Sequence, residues 1–284
     1  MSMPLSSSPA ALPTLSFIGC GKLGQTLGRL WVRQGRFEVR QILTNSMESA
    51  CQATRFISAG EAISSPAQLQ AADIFLIATP DDQIAAASAQ LAKTGCLQAG
   101  TIVFHCSGAL PSSVLRPLSG QGALVASVHP IKSFASPEQA LASFDGTWCG
   151  MEGDPAALQV LRSAMEAIGA YVVDIRTEDK LVYHAAAVFA SNYLVTLLDA
   201  ALQAYMQAGI PEATARQMLA PLVQGTLENV MRSGPEQALT GPIARGDTHT
   251  VQTQYRALSA WDRNYARMYK QMALHTSRLA ARRK

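Results

Sequence analysis

The sequence predicts an α/β domain with a doubly wound sheet, followed by an all-helical domain, and three observations carry that prediction. An apolar strand, Leu15-Ser16-Phe17-Ile18, runs directly into Gly19-Cys20-Gly21-Lys22-Leu23-Gly24 and then into a helical pattern. Short β-branched strands alternate with helices as far as Ile175, which implies parallel pairing with helices on both sheet faces. From Thr177 onward no strand pattern of any strength recurs.

Taken in order, Met1 to Pro13 is rich in Ser, Pro and Ala and reads as a flexible leader, residues 1–13. Residues 14–176 form the expected dinucleotide-binding domain. Its strands are expected at Thr14–Gly19, Phe37–Thr44, Asp73–Thr79, Thr101–Ser107, Ala123–His129, Trp148–Glu152 and Tyr171–Ile175. Between them the pattern gives helices at Lys22–Gln34, Met47–Phe56, Pro80–Thr94, Leu110–Leu118 and Pro155–Ile168, the last opened by Pro and closed by Gly169. Residues 177–284 then read as helix throughout. Thr177-Glu178-Asp179 is a start signal, and no obvious breaker occurs before Gly209 and Pro211, so one helix of roughly 45 Å is expected there. Further helices follow at Pro211–Met231, near Thr250–Leu258 and at Trp261–Arg282.

Composition narrows the function. Apolar residues make up 48% of the 284, enough for a substantial core, and charged residues only 15%, which argues against disorder. A formal charge of +3 is too small for a nucleic-acid binder, and the basic excess sits in the tail at Arg278, Arg282, Arg283 and Lys284. Five scattered cysteines without Cys-x-x-Cys spacing argue against a disulfide framework or a metal site and fit a reducing cytoplasm. The start lacks a basic signal region. The stretch Ala185–Leu198 is interrupted by Ser191, Asn192 and Thr196, so no membrane span is expected.

The glycines point to a phosphate-bearing dinucleotide. Gly19 permits the tight turn, Gly21 lets backbone approach a pyrophosphate, and Gly24 lets helix pack on sheet; the helix beginning at Lys22 and Leu23 offers free N–H groups. An NAD site usually places a carboxylate at the end of the second strand, but here that end reads Thr44-Asn45-Ser46. Small polar donors suit a 2′-phosphate that a carboxylate would repel, so NADP is expected over NAD. Thr79 and Pro80 end another strand and should border the dinucleotide. Asp81 and Asp82 follow in a first helical turn, where negative charge is favourable on structural grounds alone.

Two more strand ends converge on the same crevice. Ser107 or Gly108 would meet the nicotinamide or the substrate, and His129, held by Pro130, projects a titratable ring; His105 lies inside its strand and reads as packing. On the long helix Lys180 and His184 lie about 40° apart with Ser191 about 20° from each and Asn192 at the shoulder. Hydride transfer needs a proton donor or acceptor and groups that orient the carbonyl or imine. His129 or His184 would handle the proton, while Ser107, Asn192 and Lys180 orient the substrate. Arg245 and Asp247, in Thr240-Gly241-Pro242-Ile243-Ala244-Arg245-Gly246-Asp247, would either grip an anionic substrate or lock a subunit interface.

The Gly19–Gly24 fingerprint, His105-Cys106-Ser107-Gly108-Ala109 and His129-Pro130 resemble the Rossmann-like oxidoreductases. Tyr183-His184-Ala185-Ala186-Ala187, Ser191-Asn192-Tyr193 and the Thr240–Asp247 stretch resemble those whose C-terminal half is a domain of unknown function, 2520. The resemblance covers about residues 14 to 260. It implies an NADP-type Rossmann domain and a helical dimerisation domain like that of 6-phosphogluconate dehydrogenase. Wider similarity extends to prephenate dehydrogenases, whose helix His is Asn192 here, and to pyrroline-5-carboxylate reductase types. The β-hydroxyacid dehydrogenases carry Lys and Asn four apart on this helix, where this chain has Lys180 and His184.

The expectation is therefore an NADP-dependent oxidoreductase for a small, acidic metabolite, acting between the two domains and dimeric through its C-terminal helices. An NADP-binding sensor without catalysis and a deazaflavin-linked reductase stand as alternatives.

Overall fold

The structure is a computed structural model that describes residues 11–283; most of the expected leader lies outside that range. The chain divides into two compact units at Val188/Phe189.

In the first unit, β1 (Thr14–Ile18), α1 (Lys22–Arg33), β2 (Glu38–Leu43), α2 (Met47–Ile57), β3 (Glu61–Ile63) and β4 (Ile74–Ile77) form the opening half. Then come α3 (Asp81–Leu91), β5 (Ile102–His105), α4 (Arg116–Ser119), β6 (Leu124–Pro130), α5 (Pro137–Ala142), β7 (Trp148–Gly153), α6 (Pro155–Glu166) and β8 (Tyr171–Asp174). The sheet order is β3-β2-β1-β4-β5-β6-β7-β8. It reverses at β1 and β4, the switch point where open sheets of this type hold their ligands.

Two apolar layers, one on each face, explain why the strands read as continuous hydrophobic runs. Leu15, Phe17, Leu76 and Phe104 pack with Leu27 and Trp31 of α1 and Leu161 of α6. Ile18, Phe75, Ile77 and Val103 pack with Ile84 and Leu91 of α3. The indole of Trp31 also donates to the carbonyl of Ala164 at 2.9 Å, tying α1 to α6. The third turn glycine works as expected, because a Cβ on Gly24 would lie 3.3 Å from that of Ala78.

Several elements differ from the sequence reading. β3 and α5 are short and carry too little pattern to announce themselves. The segment expected as a helix from Leu110 to Leu118 is a 3-10 turn, Ser112–Leu115, leading into the single turn of α4. β7 runs antiparallel to β6, whereas all strands were expected to pair parallel. Strand direction is set by the connection rather than by the strand's own residues, so the local pattern could not reveal it.

α7 (Lys180–Ala190) begins in the first unit, and α8 (Asn192–Gln207), α9 (Glu212–Ala238), α10 (Thr248–Trp261) and α11 (Arg263–Ala281) complete the chain. The expected single helix from Thr177 to Ala208 is thus broken at Ser191, which leaves helical geometry at φ −122° and ψ −72°. Neither Gly nor Pro marks this break. The angular relation drawn for Ser191 and Asn192 assumed one continuous helix and does not carry across it.

In the second unit α8 pairs with α9 and α10 with α11. Asp247 is the N-cap of α10, accepting the N–H and hydroxyl of Thr250 at 2.9 and 2.6 Å. Its carboxylate therefore has a structural task, while Arg245 is exposed. The segment Thr177–Gln207 is apolar and long enough to cross a membrane by length and composition, at a mean hydropathy of 1.5. Its first turn, however, is anchored to the sheet through Lys180, as described next.

Candidate active site

The carboxyl ends of β1, β2 and β4 enclose a cavity of about 310 Å³ lined by Gly19, Thr44, Asn45, Ser64, Thr79, Gln83 and Gln90, among others. No acidic side chain lines it. Gly19 sits at φ +74°, and a Cβ there would fall 2.7 Å from Cγ2 of Thr79 and 2.8 Å from its backbone nitrogen. A Cβ on Gly21 would meet nothing within 4 Å, so the turn presents bare, exposed backbone. No side chain caps α1, which leaves the first amides of that helix, from Lys22, Leu23 and Gly24, without intrahelical acceptors. A pyrophosphate fits this donor set.

The other expected cofactor residues are spread differently. Asn45 is exposed at the cavity, whereas the Ser46 hydroxyl caps α2 by accepting from Ser49 N–H at 3.2 Å and donating to Ser49 Oγ at 3.0 Å. Pro80 is the exposed N-cap of α3. Gly108 does not line this cavity; it lies against two imidazoles at the end of β5.

A Cβ on Gly108 would fall 2.4 Å from Cδ2 of His184 and 2.7 Å from Nε2 of His129. Glycine is therefore what lets the two rings approach, edge to face with centroids 5.8 Å apart. His129 stands at the end of β6 and His184 one turn into α7. Burial first, and then the neighbouring His184 and Lys180, push the His129 imidazole down to about 4. The Nε2 of His129 makes no hydrogen bond among the described residues. His105 differs: its Nδ1 accepts from Ser107 N–H at 3.1 Å and its Nε2 faces the Pro111 carbonyl at 3.3 Å. With both nitrogens engaged and burial holding it at about 4, His105 is a packing residue.

The remaining sequence candidates have protein partners. The Ser107 hydroxyl donates to Asp81 at 2.7 Å and accepts from Ala109 and Leu110 N–H at 3.1 and 2.9 Å. It closes its own loop, and Asp81, beyond charging the first turn of α3, locks β5's end to that helix. Lys180 is 1% exposed. Its ammonium donates to Ser127 and lies 3.3 Å from Glu152 Oε1, a buried ion pair inside the sheet unit. Lys180 thus faces the sheet rather than open crevice. Desolvation lowers its pKa, with Glu152 acting the other way.

Sequence reasoning passed over Glu152, which is 3% exposed. Its carboxylate also accepts Ser112 N–H and hydroxyl, each at 2.7 Å, and the Thr177 hydroxyl at 3.0 Å. It joins β7, the Ser112 turn and the start of α7 in one knot beneath the histidines. A lone carboxylate in an apolar strand, and a lone lysine opening an apolar helix, were the available signals. Asn192 and Ser191 belong to the second unit. Among the described residues no cluster of His, Cys, Asp and Glu is arranged to hold a metal.

Strand order and bare glycine turn together define a doubly wound, Rossmann-like protein with added strands and a helical C-terminal part. Residues 3–130 match the model of the Rossmann-like domain, and residues 147–276 match that of a domain of unknown function, DUF2520. The chain thus joins a Rossmann-like match to a DUF2520 match. No curated protein matches it. Among solved structures, protein TM1727 from Thermotoga maritima is 26% identical with a TM-score of 0.74, covering 94% of this chain and 98% of its own. The candidate NADP oxidoreductase BF3122 from Bacteroides fragilis is 21% identical at a TM-score of 0.75, with the same coverage. A pyrroline carboxylate reductase from Plasmodium falciparum, solved with NADP bound, is 13% identical at 0.58, again over 94% and 98%. At such identities the last two speak for the fold alone.

Proposed function

We propose that this protein is an oxidoreductase that uses NADP, in preference to NAD, to reduce or oxidise a small carbonyl- or imine-bearing metabolite. The observation that carries the reading is one sheet edge holding both a bare Gly-x-Gly-x-x-Gly turn and the His129–His184 pair. NADP, when bound, supplies or accepts the hydride. The amides of Lys22, Leu23 and Gly24 hold the pyrophosphate, and Gly21 keeps a side chain out of its way. Asn45, in a cavity without carboxylates, suits a 2′-phosphate. His129 and His184 contact the reacting group, and the Lys180–Glu152 knot holds the elements beneath them.

Purified protein offered NADPH with a panel of oxo acids and imines is expected to oxidise NADPH with at least one, and NADH more slowly. The variant His129→Gln should lower kcat about 100-fold or more, the loss typical of removing a preorganised donor. NADPH binding without turnover across the panel would contradict the enzymatic reading and favour the sensor.

We further infer a homodimer. Phe189, Val195, Leu222 and Met231 are more than half exposed, an apolar surface of the kind that marks an interface. Light scattering should give the mass of two chains; a single-chain mass would refute it.

A further inference from the structure

Tyr183, one residue before His184 on α7, has no part in the chemistry above, yet its hydroxyl lies 3.0 Å from Nδ1 of His129. The two rings meet edge to face with centroids 5.6 Å apart. A Cβ on Gly150 would fall 2.5 Å from the phenol oxygen, so only glycine on β7 admits the ring this far. The phenol has a single proton to give.

Two acceptors compete for that proton, Nδ1 of His129 at 3.0 Å and the His129 carbonyl at 3.5 Å. A contact at 3.5 Å is at the weak limit for an O–H donor, whereas 3.0 Å is a sound bond to an imidazole nitrogen. We propose that Tyr183 is a positioning residue whose O–H donates to Nδ1 of His129, so that the neutral imidazole carries its one proton on Nε2, beside Gly108 and His184. Which nitrogen of a histidine is protonated follows from the bond that the other one makes. The groups around this imidazole are His184 and Lys180 of α7 and Asp81 of α3, and the balance with burial keeps it neutral near pH 7.

This inference rests on the oxidoreductase reading and sharpens it. An Nε2–H bound in this way donates a hydrogen bond to a carbonyl oxygen or imine nitrogen without taking up a proton there. His129 then polarises the double bond, and the proton added after hydride transfer arrives from another donor, with His184 beside it. The substrate must present a lone pair at the reacting atom.

The test is a long-range ¹⁵N–¹H correlation spectrum of the histidine rings in uniformly ¹⁵N-labelled protein, with His129 assigned by the loss of its signals in His129→Gln. Wild type between pH 6 and 8 is expected to show a protonated Nε2 and a bare Nδ1. In Tyr183→Phe, which keeps the ring packing, the two nitrogens should move toward averaged shifts as both tautomers become populated. A protonated Nδ1 in wild type, or an unchanged spectrum in Tyr183→Phe, overturns the proposal. The spectrum needs neither cofactor nor substrate, so the expected spectrum without turnover would sink the enzymatic reading and leave the tautomer assignment standing.

Discussion

Glu152→Gln is expected to lose about 3–5 kcal/mol of stability, the usual result of deleting one partner of a buried ion pair. The reason is geometric. Lys180 and Glu152 are both almost fully enclosed, so the substitution leaves an ammonium with no counter-charge and no water. In a domain whose total stability is of order 5–15 kcal/mol, that is a large fraction. Urea unfolding followed by circular dichroism should show a lower midpoint with little change in slope. Adding Lys180→Met removes the stranded charge while the introduced amide oxygen still accepts from Ser112, so the double variant should recover much of the loss.

The pH dependence has a definite sign. Burial lowers the folded-state pKa of Lys180, so the unfolded chain binds more protons as the usual lysine range is approached, and stability gains there as pH rises. Without Glu152 the folded pKa falls further, so the deficit of Glu152→Gln should shrink toward about pH 10. A deficit under about 1 kcal/mol at neutral pH, well below the usual cost of breaking a buried pair, would mean that water reaches the pair and contradict the buried ion pair.

Gly108→Ala should leave NADPH affinity within a few-fold of wild type but lower kcat by about 100-fold, the cost of displacing reacting groups by about an ångström. Its methyl would enter the space held by His129 and His184, at 2.7 and 2.4 Å from ring atoms. Neither ring can stay where it is. The cavity at Gly19 lies at other strand ends and has no lining residue in common with this pair. Pre-steady-state mixing with a substrate identified by the panel separates binding from the hydride step. Unimpaired turnover would remove the histidine pair from the reaction.

How much of this was legible depended on range along the chain. The glycine turn is local: strand, turn and helix lie within residues 14 to 33, and each glycine's role followed from its neighbours. The strand-end positions of His129 and Gly108 were equally visible, because strand ends converge in any doubly wound sheet. Glu152 was not, since its partners Ser112 and Lys180 lie 40 and 28 residues away and only the folded sheet brings them together. Lys180 was seen, but its side of the helix was assigned to the crevice when it faces the sheet. Tyr183 sat unremarked inside a quoted motif, because an aromatic on an apolar helix normally packs. The break at Ser191 carries neither Gly nor Pro, so breaker signals could not reveal it. Asp247, beside Arg245, read as gripping a substrate or locking a subunit interface, yet capping a helix is a common task of an Asp just before one.

The central claim is that a phosphate-bearing dinucleotide lies over the turn between β1 and α1, and Gly21→Val tests it most directly. A Cβ at this position would meet no protein atom within 4 Å, the position is exposed, and the backbone there, at φ −74° and ψ −164°, is extended and suits a β-branched residue. The variant should therefore fold as wild type does. In a fluorescence titration with NADPH, wild type should saturate at micromolar cofactor while Gly21→Val, folded and equally stable, shows no saturation. Equal binding by the two proteins, or none by wild type at millimolar NADPH, would contradict the account.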